Sequence, residues 1–186
     1  MNPSGCWVFI VGPSGAGKDS VLRWARHALA ATDRADGVVF ARRLETRAGV
    51  ADDETRRTVS PQELVRLREG CALAFHWQAH GIDYAIEATH QRDVAAGRQV
   101  LVNGSRAHVA QLDRAQRPVR VVLVTASADL RAARLAARGR EPTEDIESRL
   151  VRADALPPLH ADCVIENEGE LAHAGGALIA YLQRCR

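Results

Sequence analysis

A short apolar run, Trp7 to Val11, ends directly in Gly12-Pro13-Ser14-Gly15-Ala16-Gly17-Lys18-Asp19-Ser20, and nothing else in the 186-residue chain limits its possible folds so tightly. A strand that stops at this turn has the layout G-x-x-x-x-G-K. In that layout glycines let successive backbone N–H groups curl around a phosphate, the lysine reaches the β and γ oxygens, and a following hydroxyl holds Mg²⁺. The hydroxyl position here holds Asp19, and Ser20 comes one residue late. An ordinary glycine-rich turn needs neither Lys18 at that offset nor a strand immediately before Gly12. Residues Gly12, Pro13, Ser14, Gly15, Ala16, Gly17, Lys18, Asp19 and Ser20 are therefore expected to cradle the phosphates of ATP.

With 46% apolar residues the chain can bury one good core, so residues 1–186 read as a single domain. Net charge is only +2, and of the 25 basic residues Lys18 alone is a lysine. This argues against a nucleic-acid partner and for local arginine sites that grip phosphate bidentately. Arginine codons of a high-GC genome account for many of them, so each arginine is judged by position. Cys6, Cys71, Cys163 and Cys185 are far apart and form no C-x-x-C pair, which suggests reduced thiols and neither a zinc site nor a disulfide framework. No stretch has the length of a membrane span and the N-terminus lacks a secretory pattern, so a soluble cytoplasmic protein without a membrane partner is expected.

Apolar runs at Trp7 to Val11, Val38 to Phe40, Gln99 to Val102, Val119 to Thr125 and Asp162 to Ile165 alternate with helical patterns. That alternation predicts an α/β fold, a three-layer sandwich around a central, mostly parallel five-stranded sheet. Val21, Leu22, Ala25 and Leu29 recur at helical spacing over Asp19 to Ala31, so the loop opens a helix whose N-terminus favours phosphate. Ser60-Pro61-Gln62-Glu63 predicts a capped helix ending near Gly70. Ala72 to Trp77 and Ile82 to Ala88 flank Gln78-Ala79-His80-Gly81 as a hairpin, making about 42 to 88 a small insertion. Ser127 caps a helix to Arg138, and Thr143 caps another to about Ala153. A last helix, Glu170 to Arg184, sets Leu171, Leu178, Ile179 and Leu182 on one face.

Arg131, Arg134 and Arg138 share a helix face at i, i+3 and i+7, and Arg140 and Arg149 follow across a Gly/Pro break. Two helices bridged in this way predict a lid over about 134 to 150. Its guanidinium groups would stabilise the charge that spreads over a phosphoryl group in transfer. A solvated face paired with Glu141, Glu144 and Glu147 is the alternative, and Arg131 and Arg152 are assigned to it.

Here the chain resembles the guanylate-kinase-like branch of P-loop kinases, through G-P-S-G-A-G-K, Arg134-Leu-Ala-Ala-Arg138-Gly139 and Ser148-Arg149-Leu150. The resemblance sharpens in Asp19-Ser20, in Phe75-His-Trp-Gln-Ala-His-Gly81 and in Val100-Leu-Val-Asn103-Gly104-Ser105-Arg106-Ala107-His108. These strings are similar to those of the ribose 1,5-bisphosphate phosphokinase family, over nearly the whole chain. The resemblance implies ATP-dependent formation of 5-phosphoribosyl 1-diphosphate, with ATP and Mg²⁺ as cofactors and a phosphorylated sugar as partner. It also implies catalytic roles for Lys18, Arg134, Arg138 and Arg149.

Guanylate kinases carry a glutamate in the hairpin region where this chain has His76, and their Tyr-Gly-Thr/Ser contact becomes Tyr84-Ala85-Ile86. Their acidic strand end for Mg²⁺ becomes Leu101-Val102-Asn103-Gly104, so Asp19, with Ser20, is expected to supply the metal ligands. Arg42, Thr46 and Arg47 resemble the segment that grips the acceptor phosphate in this branch, and Arg43 matches less well. Arg42, Thr46, Arg47, Tyr84, Asn103, Ser105, Arg106 and His108 form the expected acceptor set; Arg106 follows a strand's carboxyl end, where open α/β sheets place ligands. A helix-surface role is the alternative for His108, and His76 and His80 read as hairpin residues. Asn167, in a loop resembling the adenine side of the family's site, is assigned to ATP.

A phosphate acceptor is ionised near neutral pH and needs no general base, whereas a hydroxyl acceptor would, and Asp52, Asp53 and Glu54 keep that option open. The competing functions are a divergent guanylate or other nucleoside-monophosphate kinase, and a non-catalytic guanylate-kinase-like interaction module. Retention of Gly17, Lys18 and the lid arginines argues against the module. The oligomeric state stays open, a homodimer included.

Overall fold

The computed structural model describes residues 5–32, 35–47, 52–79, 81–137 and 159–185. Arg138, Arg149, the expected Thr143 cap and residues 138–150 of the expected lid lie outside them, as does His80. Along the chain run β1 (Cys6–Val11), α1 (Lys18–Ala30), β2 (Val38–Phe40), β3 (Arg43–Glu45), β4 (Arg56–Thr58), α2 (Pro61–Glu69), β5 (Leu73–Ala79), β6 (Ile82–Glu87), α3 (Gln91–Ala95), β7 (Gln99–Asn103), α4 (Arg106–Ala110), β8 (Val119–Thr125), α5 (Ala128–Ala137), β9 (Cys163–Glu166) and α6 (Leu171–Arg184).

Five strands make the expected α/β sheet in the order β2-β7-β1-β8-β9, with β2 parallel to β7 and β8 parallel to β9. Every residue of β1 is buried. That follows from its unbroken apolar run, because a parallel sheet is covered on both faces. Phe9 and Ile10 are wholly enclosed, and each such side chain contributes roughly 1.5–3 kcal/mol. β9 starts one residue later than its apolar pattern indicates. Asp162 belongs to the lead-in, where its N–H donates to Val121 O (2.8 Å) and its carboxylate accepts from Val121 N–H (2.7 Å).

The chain divides into two compact units, 1–8 with 34–102 and 9–33 with 103–186. The first contains a second sheet, β4-β3-β6-β5, in which β3 is parallel to β4 and antiparallel to β6. Leu44 and Ala85 from one face of this sheet pack with Val59 and with Leu64 of α2. The Oγ of Ser60 accepts from Glu63 N–H (3.1 Å), capping α2 as its sequence predicts. The hairpin is tighter than expected. Pairing continues to Ala79 opposite Ile82, so Gln78 and Ala79 are strand residues.

In the second unit α1 buries Val21, Leu22, Ala25 and Leu29, the residues of its predicted stripe. The buried face of α6 is Ala174, Gly175, Leu178, Tyr181 and Leu182, while Leu171 and Ile179 are only half-buried. The predicted stripe is thus rotated, and the cause is Trp24 of α1. Its indole lies where a side chain at Gly175 would stand, 2.1 Å from an ideal Cβ, so α6 meets α1 over a glycine.

Candidate active site

β1 delivers the chain into the loop, and α1 begins at Lys18, which makes Gly17 its N-cap in the left-handed region (φ 88°). Only glycine takes that conformation without strain, and no room exists for anything else. A Cβ on Gly17 would stand 2.4 Å from Asn167 Nδ2, and one on Gly15 (φ 80°) would stand 2.7 Å from the carbonyl oxygen of Arg131. The loop is therefore moulded against the segment after β9 and against α5. Lys18 Nζ folds back over it, donating to Gly12 O (2.8 Å) and Pro13 O (3.2 Å). The loop thus meets the N-terminus of α1, the end of the helix dipole that attracts anions.

Asp19 and Asn103 meet. The side-chain amide at the end of β7 donates to the carboxylate in the first turn of α1. Of the two roles expected from sequence, metal ligand for Asp19 and acceptor contact for Asn103, the geometry joins the pair directly. Ser105 stands at the N-cap of α4, which carries Arg106 and His108. His108 is half-buried with its ring 6.0 Å from that of Phe9, so it is no freely solvated helix-surface histidine.

Beyond β8 and β9 the structure corrects one assignment. Arg131, placed on a solvated face by its sequence, is buried, and its Nε–H donates to Ala126 O (3.2 Å). Helical periodicity identified the face but not what packs on it, which is the crest of the loop at Gly15. Arg134, one turn on, donates from Nη2 to Asn167 O (2.9 Å). Its Nη1 is enclosed without a partner among the described residues, 3.7 Å from a Cβ position on Gly17. Asn167 sends its side-chain amide to Ala16 O (2.9 Å), and the carboxylate of Glu168 accepts from the Ser127 N–H and hydroxyl.

The remaining acceptor candidates lie in the first unit. Arg42 is committed to its own fold: Nε donates to Asp53 O (2.9 Å) and Arg56 O (3.0 Å), and Nη2 reaches Asp52 (3.3 Å). Asp53 accepts from the Thr55 hydroxyl (2.6 Å), Thr55 N–H (2.7 Å) and Arg56 N–H (3.0 Å). Partial burial pushes its carboxyl upward, but the Thr55 hydrogen bonds and the Arg56 charge outweigh this and hold it below the ordinary value. The Thr58 N–H does the same for Asp52. The hydrogen bonds of Asp52 and Asp53 thus tie down their own loop.

Thr46 bridges β3 to β6: its N–H donates to Asp83 O (3.1 Å) and its hydroxyl oxygen accepts from Asp83 N–H (3.0 Å). Arg47 is exposed at the end of this segment. Tyr84 stacks on Trp77 (5.6 Å, 21°), and the Arg43 guanidinium lies 4.7 Å over its ring while pairing with buried Glu45 (3.1 Å). Sequence reasoning undervalued Arg43 and missed Glu45. The signal was present in their i, i+2 spacing, which puts both on one face of a strand.

Among the described residues no group of three or more His, Cys, Asp or Glu side chains forms a metal cluster, and no helix is long and apolar enough to cross a membrane. No protein-family model matches the chain. The guanylate kinase of Anaplasma phagocytophilum superposes over 100% of this chain and 91% of its own with a TM-score of 0.69 at 17% identity, which establishes the shared fold. The ribose 1,5-bisphosphate phosphokinase PhnN of Acidiphilium cryptum is 46% identical over 186 residues, spanning 100% of this chain and 97% of its own length. That of Methylobacterium radiotolerans is 41% identical over 184 residues, spanning 97% and 99%. With that identity held from end to end, on a guanylate-kinase fold whose phosphate loop keeps Lys18, this chain belongs to the ribose 1,5-bisphosphate phosphokinase family.

Proposed function

We propose that this protein transfers the γ-phosphoryl group of ATP to the C1 phosphate of ribose 1,5-bisphosphate, giving 5-phosphoribosyl 1-diphosphate and ADP. One observation carries the phosphoryl-transfer half of this reading: Arg134 Nη1 is enclosed beside Gly17 with no partner among the described residues. An unmatched buried guanidinium N–H is costly unless a ligand completes it, and a phosphate oxygen at the crest of the loop is the fitting acceptor. The full-length family relationship supports the acceptor half.

In the reaction an acceptor phosphate oxygen bonds to the γ phosphorus as the β–γ bridge breaks, and the electron pair leaves on ADP. The attacking oxygen is already ionised, so no proton needs removing. Lys18 and Arg134 neutralise charge on the transferred group, and Arg138 and Arg149 from the proposed lid at 134–150 complete that role. Asp19 and Ser20 offer the hard oxygen donors that suit Mg²⁺, which when bound draws charge from the β and γ phosphates. Residues 42–88 form the proposed acceptor-binding insertion. Within it Arg47 and Tyr84 are the proposed phosphate and sugar contacts, since Arg42 and Thr46 already hold their own strands together; Arg106 and His108 of α4 are proposed as acceptor contacts on the family resemblance alone.

A coupled ADP-release assay with ribose 1,5-bisphosphate, GMP and other nucleoside monophosphates tests the reading. Turnover with the bisphosphate is expected. Turnover with GMP alone would overturn the acceptor assignment.

A further inference from the structure

The resemblance assigned Asn167 to the adenine side of the nucleotide, but its side chain points to the phosphate loop. It is buried, and its three described hydrogen bonds go to three different places. Its N–H donates to Thr125 O (2.8 Å), one step past the last pair of the β8–β9 ladder. Its Nδ2 donates to Ala16 O (2.9 Å), and its own carbonyl accepts from Arg134 Nη2 (2.9 Å). The acceptor on Ala16 is a carbonyl, so the amide must present its NH₂ there.

Because a peptide is planar and trans, holding Ala16 C=O toward Asn167 turns the Gly17 N–H to the opposite side of that peptide plane. Gly17 makes this possible, since any Cβ there would stand 2.4 Å from the same amide nitrogen. The carbonyl of Asn167 meanwhile holds one nitrogen of Arg134 and leaves the other, Nη1, enclosed beside Gly17. One side chain and its own carbonyl therefore set both the loop peptide and the arginine.

We propose that Asn167 is a positioning residue for the phosphates rather than a reader of the nucleotide base. It presets the Ala16–Gly17 peptide and the Arg134 guanidinium from the end of the β8–β9 ladder. The inference rests on the reading of the loop as a phosphate site, and not on the identity of the acceptor.

Inorganic tripolyphosphate, which has no base, and adenosine, which has no phosphate, separate the two roles by calorimetric titration. Asn167→Asp keeps the shape but loses the donor, and Asn167→Ser carries the same test if Asn167→Asp does not fold; thermal melts establish the folded fraction. Positioning predicts about tenfold weaker tripolyphosphate binding in the variants, the magnitude of one lost charge-linked hydrogen-bond system. Adenosine affinity and the ATP:GTP ratio of kcat/KM stay unchanged, with kcat lowered. Non-additivity with Arg134→Met is also expected, the double variant losing less than the product of the single losses. Unchanged tripolyphosphate binding in the variants, or a collapse of the ATP:GTP ratio, overturns the positioning role while the kinase reading stands. A wild-type protein that ignores tripolyphosphate overturns both.

Discussion

The side-chain amide of Asn103, at the carboxyl end of β7, donates to the carboxylate of Asp19 in the first turn of α1. The one residue that departs from the usual phosphate-loop pattern is thus oriented by a strand far away in sequence. With Asp19 as a Mg²⁺ ligand, Asp19→Ala should weaken ATP binding about tenfold with Mg²⁺ present and leave it unchanged without Mg²⁺. Asn103→Ala should show the same pattern at about a third of that size. Equal effects in both conditions would remove Asp19 from the metal site.

Lys18 stands over the loop on the carbonyls of Gly12 and Pro13. Lys18→Ala is expected to lower kcat by about a thousandfold or more, the scale of losing a preplaced charge in the transition state. Its far-ultraviolet circular dichroism should match that of the wild type, because one half-buried side chain is shortened and the backbone of α1 is untouched.

Arg42 and Arg47 are five residues apart, yet only Arg42 is enmeshed with Asp52, Asp53 and Arg56. Arg42→Ala should lower thermal stability, by about 1–2 kcal/mol for the lost hydrogen bonds. Arg47→Ala should leave the melting temperature unchanged and raise the acceptor KM about tenfold. The reverse pattern would exchange their roles.

The lowered carboxyl of Asp53 gives stability a defined pH dependence. Its folded pKa lies below its unfolded value, so the contribution is fully present above the unfolded pKa and disappears as pH falls through the folded one. Thermal melts between about pH 7 and pH 2 should show Asp53→Asn less stable than wild type near neutral pH, with the difference shrinking as pH falls below about 3.8. A constant gap across that range would contradict the assignment.

Gly175 is where α6 yields to Trp24. Gly175→Ala should cost about 1–3 kcal/mol of stability by overpacking, or roughly 2–12 °C in melting temperature. Pairing it with Trp24→Leu should recover most of that loss. Tripolyphosphate affinity should be unaffected in both.

Much of the candidate site was legible because it is contiguous. The run Gly12 to Ser20 states its own chemistry, and the apolar runs of β1, β2, β7 and β8 announce a covered sheet without reference to any partner. β3 and β4 were not legible. They are three-residue strands rich in arginine, and they exist only because Leu44 and Val59 close a core with α2 and because Arg42 and Asp53 tie their ends. Arg131 was misread for a related reason, since periodicity gives a face and not its neighbour.

The sequence alone determined that this chain carries a phosphate loop on an α/β sheet, since that motif needs only residues adjacent in the chain. Tertiary structure decided how the loop is held. Asn103 reaches Asp19 across 84 positions and Asn167 reaches Ala16 across 151, and only the folded sheet brings such short polar side chains within hydrogen-bond range.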